Sequence, residues 1–355
     1  MKHAPRLGVP VDASCLRAFD AILDTRSPAE FAEDHVPGAI SCPVLDSEER
    51  ARVGTIYKQV SPFEARKLGA ALVAHNIAMH LEVSFAGKPK GWKPLVYCWR
   101  GGKRSGAMAH ILTEIGWHAA QLEGGYRAYR REVLAQLAEL PHEFRYRVVC
   151  GATGSAKSRL LQALAAAGAQ VLDLEALASH RGSVLGNLPE QAQPAQKMFD
   201  SLVWDALRRF DPDRAVYVEA ESKKIGQLQV SEALLARMRD SPCVLIQAPL
   251  AERVAFLVGE YGHFLGDPRD LKAKLDCLAG LHSKDTLARW MRQVEEKRWD
   301  ELVADLLANH YDPAYRRATL RNFEHLAQAR VLRPAKLDAP SLARMAAQLI
   351  AEAQA

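Results

Sequence analysis

The segment that most restricts the fold runs from Tyr146 to Gly168: an apolar strand-like run, YRVVC, then Gly151-Ala152-Thr153-Gly154-Ser155-Ala156-Lys157-Ser158, then SRLLQALAAAG. A β-prone run, a glycine-bearing turn and a helical pattern closed by Gly168 require a strand to deliver its C-terminal end directly to a helix N-terminus. The first N–H groups of a helix lack internal partners and the dipole is positive there, so such a junction attracts anions. The spacing is G-x-x-x-x-G-K-[ST] with Ala156 in place of the second glycine. Gly151, Thr153, Gly154, Ser155, Ala156, Lys157 and Ser158 are therefore the expected cradle for a diphosphate. Lys157 would neutralise charge and Ser158 would reach a magnesium ion. Ala156 is expected at the negative φ of a helix start, where its methyl would crowd a third phosphate if the backbone approaches closely.

Further strands are expected in AQVLDLE, AVYVEAE and CVLIQAP, separated by helical stretches. Upstream, AFDAILDTR, VPGAISCPV, KLGAALVAHNI, PLVYCWR and SGAMAHILTEIG repeat the alternation. Strands alternating with helices imply an α/β fold with parallel sheets. A chain of 355 residues exceeds one ordinary core, and Leu140-Pro141-His142 breaks the pattern. The expected division is residues 1–140, 141–282 and a helical region 283–355. In VYVEAESKKIG, Glu219 and Glu221 are candidates for holding a metal or stabilising a cation, and Lys223 and Lys224 for receiving phosphate. Asp173, Glu175, His180, Arg181 and Ser183 follow the neighbouring strand. Strand C-termini converge on the ligand crevice of such sheets, which adds Asp173 to the metal candidates and Arg181 to the diphosphate site.

With 48% hydrophobic and 25% charged residues, the composition excludes wholesale disorder and a membrane-embedded chain. No apolar leader core and no run of roughly 20 apolar residues is present, so the expected location is cytoplasmic, without a membrane partner. The cysteines at 15, 42, 98, 150, 243 and 277 are scattered, which argues against a disulfide framework or structural zinc. A net charge of +5 is compatible with a polyanionic partner and decides nothing alone.

In PLVYCWRGGKRSGAMAHIL a β-rich run delivers Cys98 to a two-glycine loop, and a helical pattern opens near Ser105. A thiol over a helix N-terminus is stabilised as thiolate by the amides of Gly101, Gly102 and their neighbours, with Arg100, Lys103 and Arg104 adding positive charge. Cys98 is the expected catalytic residue. Downstream, Arg289, Arg292, Lys297, Arg298, Arg316 and Arg317 interleave with Trp290, Trp299 and Tyr311. That pattern is expected to offer a basic surface with stacking rings, alongside Lys223 and Lys224, for a polyanionic partner.

The cysteine loop resembles the active loop of rhodanese-type sulfurtransferases. DTRSPAEFAEDHVPGA is similar to the D-x-R-x-x-x-E-[FY]…G-H-[IV]-P-G-A signature, with Asp34 where glycine is usual, and LEGGYRAYR to the L-x-G-G-x-x-x-[WY] ending. Five residues separate Cys98 from Arg104, the spacing of cysteine phosphatases, although Tyr97 stands where those enzymes usually have His. A sulfurtransferase or phosphatase with a regulatory nucleotide-binding domain is therefore an alternative, and so is a P-loop kinase or ATPase carrying a non-catalytic rhodanese module. A rhodanese-like parallel-sheet domain followed by a P-loop NTPase-like domain and a helical C-terminal segment resembles the tRNA 2-selenouridine synthases. DLEALASHRGSVLG, QPAQ, VEAESKKIG and HYDPAY look like signatures of that family. The resemblance implies a tRNA substrate whose wobble 2-thiouridine exchanges sulfur for selenium through an S-geranylated intermediate. It implies geranyl diphosphate and selenophosphate as co-substrates, and an enzyme that generates selenophosphate as a partner.

Overall fold

A computed structural model of the protein describes residues 8–10, 16–182, 186, 191–260 and 268–354. Its strands are β1 (Gly8–Val9), β2 (Ala21–Asp24), β3 (Ile40–Ser41), β4 (Pro94–Tyr97), β5 (Ala120–Leu122), β6 (Tyr146–Gly151), β7 (Gln170–Leu172), β8 (Val216–Glu219), β9 (Lys224–Ile225), β10 (Leu228–Gln229), β11 (Cys243–Ile246) and β12 (Arg330–Leu332). The fold is α/β, as the alternation of strand and helix patterns predicts. Residues up to Gln136 form one compact unit together with Ala195–Arg208, and Leu137–Pro194 with Arg209 onward form a second.

The first unit is built on a parallel sheet in the order β1-β5-β4-β2-β3. Every residue of β4, Pro-Leu-Val-Tyr, is buried, as expected for a parallel strand covered on both faces. One core layer gathers Leu23, Val44, Ile77, Phe85, Trp92, Val96, Met108 and Leu112. At about 1.5–3 kcal/mol for each large side chain withdrawn from water, such a layer opposes the entropy of ordering the loops above it.

Helix Gln196–Leu207 lies inside the sequence of the second half yet packs on this unit. Ser201 Oγ donates to Asp34 Oδ1 at 2.8 Å, Trp204 Nε1 to Gln136 Oε1 at 2.6 Å, and Lys197 Nζ to Glu33 at 2.7 Å. Asp34, which replaces the usual glycine, is 1% exposed. Its carboxylate is occupied by Ser201 and by the Tyr126 hydroxyl at 2.8 Å, so the acid adds a bond to this helix that glycine could not make.

The second unit holds a parallel sheet in the order β12-β11-β6-β8-β7 and a short antiparallel β10-β9 pair. Central β6 ends in the glycine loop, and helix Lys157–Ala166 follows. The segment beyond 283 is mostly helical, as its composition predicts, but it also contributes β12 to the sheet edge. Its last helix, Ala339–Gln354, packs Leu342, Met345, Ala346 and Leu349 against Leu160, Leu161 and Leu164 of the loop's helix. Helices Pro268–Asp276, Lys284–Glu295 and Trp299–Leu306 share another core around Trp290. No helix among the described residues is long and apolar enough to cross a membrane.

Candidate functional site

Cys98 stands immediately after β4, 3% exposed, and its Sγ accepts from Gly102 N–H at 3.3 Å and from the Ser105 hydroxyl at 3.1 Å. Helix Lys103–Ile115 starts two residues earlier than the Ser105 pattern suggests, with Gly102 as its N-cap. The thiol therefore lies at a helix N-terminus, facing the Gly102 amide and the Ser105 hydroxyl.

The loop holds this shape because its carbonyls are engaged away from the thiol. Cys98 C=O accepts from Tyr126 N–H at 2.8 Å and Trp99 C=O from Arg127 N–H at 3.1 Å. Gln121 Nε2 donates to the carbonyls of Gly101 and Gly102 at 2.7 and 3.1 Å, and to Ser105 Oγ at 2.7 Å. Gly125 has φ +57, and a Cβ there would collide with the Cys98 carbonyl and the Gly101 amide. The L-x-G-G element is thus the wall on which the loop is moulded. Arg104 donates to Glu30 at 3.0 Å, and Glu30 also receives Arg50 at 3.1 Å. Burial opposes the charge on Glu30, and Arg104, the Ser27 amide and Arg50 together more than offset it, holding the carboxyl below its usual range. Arg100 and Lys103 are exposed.

In the second unit the glycine loop departs from expectation at Ala156. Its φ is +60 and ψ +34, a left-handed conformation. The residue before the helix must turn the chain there, which is why glycine suits the position and alanine is strained by about 1–2 kcal/mol. The methyl is 4% exposed and packs in the core with Val149, Leu160 and Ile246. It therefore faces the protein, and the expectation that it crowds a third phosphate falls. Thr153 C=O accepts from Arg253 Nε at 2.9 Å, and the Arg253 guanidinium pairs with both carboxylate oxygens of Asp312 at 3.0 and 2.6 Å. Asp312 belongs to HYDPAY, so that signature supports the loop from a distant helix. Gly151 closes β6, Gly154 turns at φ +82, and Ser155 Oγ is buried without a protein partner.

Lys157 Nζ lies 3.3 Å from Glu219 Oε1. Ser158 Oγ donates to Glu175 at 2.9 Å and to Glu219 at 3.1 Å. Glu175, Glu219 and Glu221 can each present an oxygen so that all three lie within 4.8 Å of one another. Burial raises all three carboxyls; the Glu219 charge raises Glu175 and Glu221 further, and Asp173 raises Glu219. Glu175 is pushed up to about 8, and Glu221 well above its ordinary value. Burial works against the Lys157 ammonium, but Glu219 and Glu175 outweigh it and hold the charge above the usual lysine range. Gly182, at φ +64, lets the backbone pass Glu175 and Glu221, where a Cβ would lie 2.6 and 3.0 Å from their oxygens. A hard divalent cation fits this donor set: the buried Glu219 and Glu221 and the half-buried Glu175 face one lysine, and oxygen ligands suit magnesium.

Asp173 is absent from that trio. Its side chain caps helix Leu174–Leu177, accepting from Ala176 N–H at 2.9 Å. Glu175 takes its place, at the second position of that helix and visible in the sequence only as one of several acids. Arg181 pairs with Glu260 at 3.6 Å, and Lys223 with Glu232 at 3.1 Å, while Lys224 is exposed on β9. Ser183 lies outside the described residues.

The downstream basic surface is partly neutralised. Arg289 pairs with Asp305 at 2.5 Å, and Arg298 with Glu296 at 3.0 Å and with Glu301. Arg292, Arg316 and Arg317 are exposed. Trp290 is not a stacking surface: it is 0% exposed at the centre of its helical core, because the amphipathic helix turns its apolar face inward. Gln121 and Arg253 escape a reading of the sequence altogether, since their partners lie 16 to 20 and 59 to 100 residues away.

Residues 144–282 match the model of the tRNA 2-selenouridine synthase AAA domain, and residues 12–132 that of the rhodanese-like domain. The chain is similar to tRNA 2-selenouridine synthases of Nitrosomonas europaea, 30% identical with 82% of this chain and 77% of that protein covered, and Alcanivorax borkumensis, 33% identical with 83% and 88% covered. The protein of that name from Cupriavidus necator is 38% identical, with 68% and 65% covered. Two matched domains in this order, and relatives of at least 30% identity covered over most of their length, place the chain in the tRNA 2-selenouridine synthase family.

Proposed function

We propose that this protein converts the wobble 2-thiouridine of tRNA to 2-selenouridine in two steps, with geranyl diphosphate and selenophosphate as co-substrates. The observation that carries the reading is the Cys98 thiol, bonded by Gly102 N–H and Ser105 O–H in a chain that also has a phosphate loop with its lysine at a helix start. One loop suits a chalcogen donor and the other a diphosphate leaving group.

In the first step the thiocarbonyl sulfur attacks the allylic carbon of geranyl diphosphate; the S–C bond forms, the C–O bond breaks and pyrophosphate departs. Lys157 and the loop amides supply preorganised charge where the departing oxygens become more negative. Glu219, Glu221, Glu175 and Ser158 would hold a magnesium ion, which when bound adds positive charge to the same leaving group. A ~10-carbon tail contributes several kcal/mol on burial at about 0.8 kcal/mol per carbon. In the second step the selenium of selenophosphate attacks C2 of the S-geranylated base and the C2–Se bond forms; the C2–S bond breaks and geranyl thiol leaves with a proton, and water cleaves the Se–P bond to release phosphate. Cys98 and its loop amides orient and activate the donor. An enzyme that generates selenophosphate would supply it, and the reaction belongs in the cytoplasm with its tRNA.

Incubation with thiolated tRNA and geranyl diphosphate, then selenophosphate, followed by nucleoside mass spectrometry, tests this. Cys98→Ser should leave the geranyl adduct and lose the selenium product, whereas Lys157→Ala should lose the adduct. Wild-type protein that forms no adduct but turns over ATP at ordinary rates, roughly 1 per second or above, would overturn the reading in favour of an ATPase.

A further inference from the structure

Trp99 follows the thiol directly, yet it is 37% exposed where Cys98 is 3% exposed. Its ring stacks on Tyr126, with centroids 5.2 Å apart and planes 27° apart. Tyr126 is itself fixed, 4% exposed, its hydroxyl on Asp34 and its ring 3.9 Å from the Arg26 guanidinium. The Trp99 carbonyl accepts from Arg127 N–H at 3.1 Å. A planar side chain is thus held against a rigid wall and left facing water beside the nucleophile, where it adds little to the core.

The cations near the loop fall into two groups. Arg26, Arg104 and Arg130 are each paired with a carboxylate, Asp24, Glu30 and Asp200. Arg100, Lys103, Arg127 and Arg131 are exposed, and among the described residues their side chains meet no acid. Arg127 and Arg131 are one turn apart on helix Gly125–Glu139 and share a face. Helical side chains lean toward the N-terminus, which here is the end beside the Cys98 loop. An exposed ring on a segment that carries exposed cations without an acid partner complements one chemistry: a planar base carried on a phosphate backbone. A lipid surface would ask for several protruding apolar side chains rather than one backed ring.

We propose that Trp99 is a positioning residue, a platform on which a nucleobase of the RNA substrate stacks, and that Arg127 and Arg131 hold the flanking phosphates. This rests on the RNA-substrate reading above. The stack would orient the thiolated base toward Cys98 without reading sequence, since every base offers a π-face.

The test titrates the full chain against a dye-labelled anticodon stem-loop carrying 2-thiouridine, read by anisotropy. Trp99→Leu should raise Kd about 5- to 100-fold and Trp99→Phe should recover most of that loss. In turnover, KM for the RNA should rise in Trp99→Leu more than kcat falls. Arg127→Gln and Arg131→Gln should each reduce the slope of log Kd against log salt by about 0.7–0.9. Equal binding by wild type and Trp99→Leu, or Phe no better than Leu, overturns the platform. If Trp99→Leu does not fold, unchanged salt slopes in the two exposed arginine variants overturn the proposal. Trp99-dependent binding to phosphatidylserine vesicles in place of RNA also overturns it. Wild-type protein that fails to bind the RNA removes the underlying substrate reading as well.

Discussion

At Ala156 two energies of similar size oppose each other. The left-handed conformation costs an alanine about 1–2 kcal/mol. Burial of its methyl returns roughly 0.8 kcal/mol, and glycine would add roughly 0.5–1 kcal/mol of backbone entropy to be lost on folding. Ala156→Gly should therefore change stability by less than about 1 kcal/mol, while the β-branched Ala156→Val should lose more than about 2 kcal/mol, both measured by urea unfolding. Glu175 titrates on the same scale. Its carboxyl, raised to about 8, stays protonated in the folded state at pH values where the unfolded chain has released its proton. Stability from this residue is thus present at low pH and lost as pH rises through about 8. Because Gln imitates the protonated acid, Glu175→Gln should match wild type near pH 5 and exceed it by on the order of 1–3 kcal/mol above pH 8, read as thermal midpoints. The locations of Cys98 and Lys157 were legible because a strand, a loop and a helix start follow one another in sequence. The sign of φ at Ala156 was not, since a pattern of residue types carries no dihedral.

Elements converge on the glycine loop from far along the chain. Arg253, 8% exposed in its side chain, joins Thr153 C=O to Asp312, tying the loop after β6 to helix Asp312–Asn322. Arg253→Met should cost about 3–5 kcal/mol, because it strands a partly buried carboxylate. Adding Asp312→Asn should then cost less than the sum of the two single changes, with a coupling of about 0.5–3 kcal/mol in a urea double-mutant cycle. Helix 339–354 and β12 have the same long-range character. The C-terminal segment reads as helices from its periodicity, and a three-residue strand leaves too short a period-2 pattern to register. The Trp290 and Trp299 region misleads for a related reason, since one apolar stripe is compatible with either a core or a binding face until its packing partners are known.

On the scale of the whole molecule, the units follow the alternation of strand patterns except at Gln196–Leu207, which no local signal assigns to the first unit. Asp34 was legible only as a departure from a motif; its partner Ser201 is 167 residues away. A fragment ending at Gln136 should lack a cooperative thermal transition or melt well below the full chain, since Asp34 loses Ser201 and Tyr129 loses the edge-on Trp204 ring 5.6 Å away. Joining Ala195–Arg208 to that fragment through a flexible linker should restore the transition, which circular dichroism would record.

The return of the chain to the first unit has a bearing on how such a protein can be inherited. A gene crossover between the codons for Gln136 and Leu137 delivers neither unit whole, because one carries away a helix the other needs. Exchange of either half for a foreign one demands three breakpoints in register, or a newcomer that already carries a compatible helix. The two halves are thereby held to a shared descent, each selected in the company of the other.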